Sequence, residues 1–139
     1  MVTDRAAARD SILAVFKAAV AGEASLVICY ADTITQPPTS VNTSWVRVAV
    51  KHANGTRATI GPLAKHTQTG MVFVELFTSA GTGLVEADRI SGLIADAFTG
   101  KTTAGGEFSF FDVSVKEIGV DGGWTQTNID CAFSYDLAR

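Results

Sequence analysis

Trp45-Val46-Arg47-Val48-Ala49-Val50-Lys51 puts Val46, Val48 and Val50 on one side of an extended chain and Trp45, Arg47, Ala49 and Lys51 on the other. Strict alternation of this kind is the mark of a strand with one face in a core and one outside it. A sheet with a covered face needs something to cover it, and the sequence supplies two amphipathic helices. Over residues 4–21, Ala8, Ile12, Val15, Phe16 and Ala19 recur at helical spacing, with Arg5, Arg9 and Lys17 mainly opposite. Thr3 is placed to cap that helix, and Gly22 to end it in a left-handed conformation. Over residues 82–99, Leu84, Ala87, Ile90, Ile94, Ala97 and Phe98 form a second apolar face, with Thr82 as the expected cap and Gly100-Lys101 as the stop.

The remaining segments read as strands. Ser25–Tyr30 is a short apolar run. Gly70–Thr78 is apolar on both faces except at Glu75, which suits a central strand or one covered by a neighbouring chain. Phe108–Ile118 and Thr125–Tyr135 flank Asp121-Gly122-Gly123, a hairpin turn signal. In the last of these, Thr125, Thr127, Ile129, Cys131, Phe133 and Tyr135 share one face. Residues 31–44, with Pro37-Pro38 at their centre, read as an extended connector. The expectation is a single α+β domain in the order α-β-β-β-α-β-β, with a mostly antiparallel sheet of four to five strands and two helices packed on it.

Composition fits a globular chain with a thin charge coat. Of 139 residues 47% are hydrophobic and 18% charged, and the formal net charge is −3. These values exclude disorder and a disulfide scaffold, and they carry no general signature of polyanion binding. Asp4, Arg5, Arg9 and Asp10 interrupt the apolar stretch that a signal peptide needs, and no run approaches the roughly 20 apolar residues of a membrane span. Synthesis in a reducing cytoplasm follows, with Cys29 and Cys131 as free buried thiols unless their strands lie side by side.

Charge is unevenly distributed along the chain. Residues 33–74 hold Arg47, Lys51, Arg57 and Lys65 and no Asp or Glu, whereas residues 102–136 hold Glu107, Asp112, Glu117, Asp121, Asp130 and Asp136 against Lys116 alone. Between Val50 and Met71 no periodic apolar pattern is visible, so residues 51–69 read as a long loop carrying Lys51, His52, Arg57, Lys65 and His66. Two readings stay open. The asymmetry is either a solvated face without consequence, or one half of a head-to-tail contact in which this basic loop meets the acidic strands of the next copy. Nucleic-acid recognition is disfavoured, because the segment lacks interleaved aromatics.

Catalytic patterns are missing. His52 and His66 lie in a segment with no carboxylate to orient them. Asp88 and Asp96 read as the wet face of the second helix. Gly81-Thr82-Gly83 lacks the continuation of a phosphate loop, and Gly-x-Ser-x-Gly is absent. Cys131 sits on an apolar face without the electropositive setting of a reactive thiolate. No enzyme, cofactor or metal is expected. Phe108, Phe110 and Phe111 read first as core, but Phe110 and Phe111 must point to opposite faces, so one of them is a candidate interface anchor.

Laid out in order, the chain resembles the tail terminator (tail completion) proteins of long-tailed bacteriophages. The resemblance runs through the Ala-rich first helix, Pro37-Pro38, Trp45–Val50, Gly70–Phe77, Ala80-Gly81-Thr82-Gly83 before Ala87-Asp88-Arg89-Ile90, Asp121-Gly122-Gly123-Trp124 and Phe133-Ser134-Tyr135-Asp136. It implies a structural virion protein that forms a ring, usually of six copies, at the head-proximal end of the tail tube. Its partners are itself, the tube protein and a neck or head-completion protein, with helices on one side of the sheet and a projecting loop or hairpin. On that resemblance the interface candidates are Lys51, His52, Arg57, Lys65, His66, Glu107, Phe110, Asp112 and Glu117. A head–tail connector or stopper is the alternative, and a small ligand-binding domain or enzyme a more distant one.

Overall fold

The computed structural model describes residues 4–23, 25–30, 44–57, 65–82, 84–99 and 108–138. The elements are α1 (Arg5–Ala19), β1 (Val27–Tyr30), β2 (Trp45–Arg57), β3 (Lys65–Ser79), a 3-10 turn (Ala80–Thr82), α2 (Val85–Phe98), β4 (Phe108–Asp121) and β5 (Trp124–Ala138). The five strands form one mixed sheet in the order β1-β2-β3-β5-β4, an α+β fold with the expected sequence of elements. Only β1 runs parallel to its neighbour β2; the other three pairings are antiparallel.

Val46, Val48 and Val50 stand in register with Leu76, Val74 and Val72, which in turn face Thr127, Ile129 and Cys131 on β5. This row of β-branched and aliphatic side chains is buried under α1 and α2, with Ile12, Phe16, Ile90, Ile94 and Phe98 filling the helix side. The opposite face of the sheet carries no helix among the described residues. Trp45 stacks on Phe77 there with ring centroids 4.1 Å apart, and Trp124 meets Trp45 edge-on at 6.3 Å.

The region read as a long loop is largely a hairpin. β2 continues to Arg57 and β3 begins at Lys65, so only residues 58–64 separate the strands, and these lie outside the described residues. Periodicity hides the strands because their inward positions here face the polar N-terminal turn of α1 instead of its apolar stripe: Gln68, only 4% exposed, accepts a hydrogen bond from Arg5. A bulge at Ala53, between the His52 and Asn54 pairings, also shifts the alternation by one residue.

Cap assignments differ as well. Asp4 caps α1, accepting from the Ala7 N–H at 2.8 Å, while Thr3 lies outside the described residues. Gly22 is not among the glycines with positive φ, and the helix closes instead through the Val20 N–H. Thr82 belongs to the 3-10 turn, and the N-cap of α2 is Leu84, whose side chain cannot accept a hydrogen bond. The β4–β5 turn is as read, with Gly122 and Gly123 at φ of 60° and 87°. The 31–43 part of the connector and the Gly100-Lys101 stop lie outside the described residues. Cys29 and Cys131 are buried free thiols on β1 and β5. Two strands stand between them, a separation of about 14 Å at the usual strand spacing.

Candidate assembly surfaces

Strand direction sorts the charges into two ends. β2 rises toward Arg57 and β3 leaves from Lys65, so this hairpin end gathers Lys51, His52, Arg57, Lys65 and His66, with Arg57 in register opposite His66. The N-terminal turns of α1 approach the same end. Arg5 reaches Gln68 at 3.4 Å, and Arg9 donates to the Val50 carbonyl at 3.4 Å, beyond the point where β1 stops pairing with β2. Asp4, Asp10 and Asp136 offset part of this charge, and Asp136 is held by the Thr67 hydroxyl at 2.8 Å.

The other end is acidic. It holds Glu86 and Asp88 in the first turn of α2, Glu23 after α1, and Glu117 and Asp121 on β4. Arg89 pairs with both Glu23 and Glu86, the latter at 2.9 Å, and its guanidinium pKa is raised mainly by the bond to Glu23. Glu117 is opposite Thr127 on β5, whereas Leu137 is opposite His66. Ten residues of strand separate those positions, about 33 Å. The basic and acidic ends of one copy therefore cannot neutralise each other.

Of the sequence candidates, Lys51 is exposed on the uncovered sheet face, its ammonium 5.8 Å from the Phe73 ring centre. His52 turns to the helix side, its Nε2 2.7 Å from the Tyr135 hydroxyl. Burial and the cations of Arg5 and Arg9 lower its pKa. Glu107 lies outside the described residues. Asp112 is exposed at a bulge on β4 with φ of 55°, and Glu117 is exposed further along the same strand. Phe110 belongs to the core at 4% exposure, 5.1 Å from Phe98; the ring left outside is Phe111, at 44%.

Two concave regions accompany these residues. A trough of about 360 Å³ crosses the uncovered sheet face between Arg47, Lys51, Phe73, Glu75 and Asp130, with Arg47 and Glu75 paired across β2 and β3 at 3.8 Å. A cleft of about 260 Å³ lies between Arg9, Leu13 and Tyr30 and the edge of β2 at Val48–Lys51. Among the described residues no group of three His, Cys, Asp or Glu side chains is placed to hold a metal. Cys131, in the core on the helix side of β5, has its thiol pKa pushed up to about 11, chiefly by burial. No described helix is long and apolar enough to cross a membrane.

One surface was not foreseen from the sequence. Val115 and Val120 register opposite Ile129 and Thr125, both buried, and so sit on the helix-bearing face of β4, yet they are 47% and 70% exposed. α2 reaches β4 through Phe98 at Phe110 but leaves the far half of this edge strand bare. Leu84 and Val85, at 49% and 78% exposure, lie at the same end of the molecule, which the bond from the Ala80 N–H to the Gly123 carbonyl ties to the β4–β5 turn. The bulge between Phe111 and Ser114 shifts the alternation of β4, so counting by twos from Phe110 assigns Val115 to the wrong face, and the second bulge, between Glu117 and Gly119, brings Val120 back into phase.

Residues 6–130 match a family model described as phage tail terminator protein. No curated protein sequence matches the chain. Among solved structures, one that is 18% identical over 91% of this chain and 94% of its own superposes with a TM-score of 0.63, a likeness of fold. Another, from the virion of a native gene transfer agent particle, is also 18% identical, covers 91% of this chain and 86% of its own, and gives a TM-score of 0.48.

Proposed function

The chain belongs to the phage tail terminator family, a family of structural tail proteins, and from that premise we propose that its copies close into a six-membered ring on the head-proximal end of the tail tube. There the ring stops addition of tube subunits and presents a surface to the neck of the head. The observation that supports this reading is the separation of charge: the basic hairpin end and the acidic α2–β4 end are about 33 Å apart in one copy, so they cannot neutralise each other within it. Two different surfaces meeting head to tail close into a ring when the rotation allows. The uncovered sheet face, with the part-exposed Phe73 and Phe77 along it, adds apolar area for a second partner.

The work required is steric and adhesive, with no bond made or broken. The hairpin charges set partner and register more than affinity, so assembly weakens as salt rises. The test is electron microscopy of particles made without the protein. Tails of uncontrolled length are the expected result. Tails of normal length that fail to join heads overturn the reading in favour of a connector or stopper.

A further inference from the structure

The face of the sheet without helices carries its charges by strand. Arg47 and Lys51 lie on β2 and Asp130 on β5, while Glu75 on β3 between them is paired with Arg47 and accepts from Gln126 at 3.2 Å. Asp130 has no hydrogen bond or ion pair among the described residues, and the Lys51 ammonium meets the Phe73 ring. Both border the trough of about 360 Å³, and the part-exposed Met71, Phe73 and Phe77 follow one another along β3 on the same face. We infer that this face binds the same face of a second copy, sheet against sheet, about a two-fold axis parallel to β3. Sheets stacked face to face keep their strands roughly aligned, which leaves two choices of axis, one along the strands and one across them. An axis across the strands sets β2 over β2 and β5 over β5, cation against cation and Asp130 against Asp130. An axis along β3 exchanges β2 with β5. Ala49, Phe73 and Asp130 stand in one row of the register, so Asp130 of each copy then comes between Arg47 and Lys51 of the other. β3 is also the middle strand of the order β1-β2-β3-β5-β4, so this axis lays five strands over five. Lys116 on β4 falls over β1, whose Val27–Tyr30 carry no charge. Side chains on the axis meet their own copies, which suits Met71, Phe73 and Phe77, and the charge of Glu75 is already met by Arg47 and Gln126. The overlap is about 20 Å by about 30 Å, or about 600 Å² per copy, at the small end for a specific interface, so the pair forms only in concentrated protein. This contact does not depend on the capping role: a head-to-tail contact between the two ends runs on to a ring, whereas a two-fold contact stops at two copies.

The experiment is analytical ultracentrifugation of the full chain from about 10 μM to about 1 mM. A reversible equilibrium between one copy and two is the expected result. Lys51→Glu raises the dimer dissociation constant about ten-fold, as does Asp130→Lys, the effect of losing about 1.4 kcal/mol over the two symmetry-related contacts. Mixed in equal amounts, the two variants recover the affinity of the parent chain, because each reversed charge then faces an opposite one; a misfolded pair does not rescue. Circular dichroism reports whether each variant is folded. Asp130→Asn, which keeps the shape of the side chain, stands in for Asp130→Lys if that chain does not fold, and weakens the dimer about three-fold. A chain that stays monomeric throughout overturns the inference. So does a Lys51→Glu variant that dimerises as well as the parent or better, the outcome of β2 lying over β2. Failure of the folded pair to recover on mixing, or assembly to six copies that neither variant alters, overturns it as well. A dimer with this charge dependence, beside tails of normal length in particles lacking the protein, keeps the face contact and removes the capping role. Tails of uncontrolled length beside a monomeric chain do the reverse.

Discussion

The Nε2 of His52 lies 2.7 Å from the hydroxyl of Tyr135, while its Nδ1 is buried without a hydrogen-bond partner among the described residues. Phe133 stands edge-on to the imidazole at 5.4 Å, and Arg5 and Arg9 approach from α1. Protonating this ring places a second N–H where nothing accepts it and adds a cation beside two others. Its pKa is accordingly below the ordinary 6.5, with burial the larger cause and the two arginines next. The unfolded chain therefore binds the proton more readily than the folded one. Stability at neutral pH is expected to fall as pH drops below about 6.5 and to keep falling until the folded-state pKa is passed. Chemical denaturation across pH 5–8 measures this, and His52→Gln should flatten that part of the profile.

Gly70 faces His52 on one side and Phe133 on the other, in register with both. A Cβ at this position would stand 2.2 Å from the Lys51 carbonyl oxygen and 2.6 Å from the Phe133 ring. The ring can swing; the backbone oxygen of a paired strand cannot without breaking the ladder. Gly70→Ala is expected to cost about 3 kcal/mol, seen as a melting temperature lower by about 10 °C. A change below a few degrees means that β2 and β3 are farther apart than described.

Cys29 and Cys131 are both buried, and the Cys131 thiol is pushed up to about 11. At pH 8 only about one Cys131 in a thousand is thiolate. Native protein should therefore leave Ellman's reagent almost colourless over minutes, and denatured protein should release two equivalents of thiol per chain, the two cysteines in the sequence. One equivalent or fewer from the denatured chain points to a disulfide, which the placement of Cys29 and Cys131 on β1 and β5 forbids.

The alternation at Trp45–Lys51 makes the core face of β2 legible from the sequence, and Thr125–Tyr135 does the same for β5, because the helices above them bury one face continuously. Legibility ends where that cover ends. Arg57 and His66 belong to strands, but the layer above them is the polar start of α1, so no apolar period marks them. Bulges near Asp112 and Gly119 shift the register of β4, and between them its faces cannot be counted off from Phe110. The charge separation could be seen as composition along the chain. That it becomes two opposite ends required the strand directions, and the bare face of β4 at Val115 and Val120 required knowing where α2 lies.

Leu84 sets the start of α2 in a way that can be measured. It is the N-cap of α2, a position that favours Ser, Thr, Asp or Asn, and its side chain accepts no hydrogen bond from the first turn. It is also 49% exposed, so neither helix capping nor core packing accounts for a leucine. Leu84→Ser supplies the missing acceptor and is expected to stabilise the isolated chain by about 0.5 kcal/mol, at the low end for a cap because the residue has helical φ and ψ of −98° and −3°. The melting temperature of the free protein should rise by about 2 °C. A lower melting temperature instead means that the leucine is needed for folding.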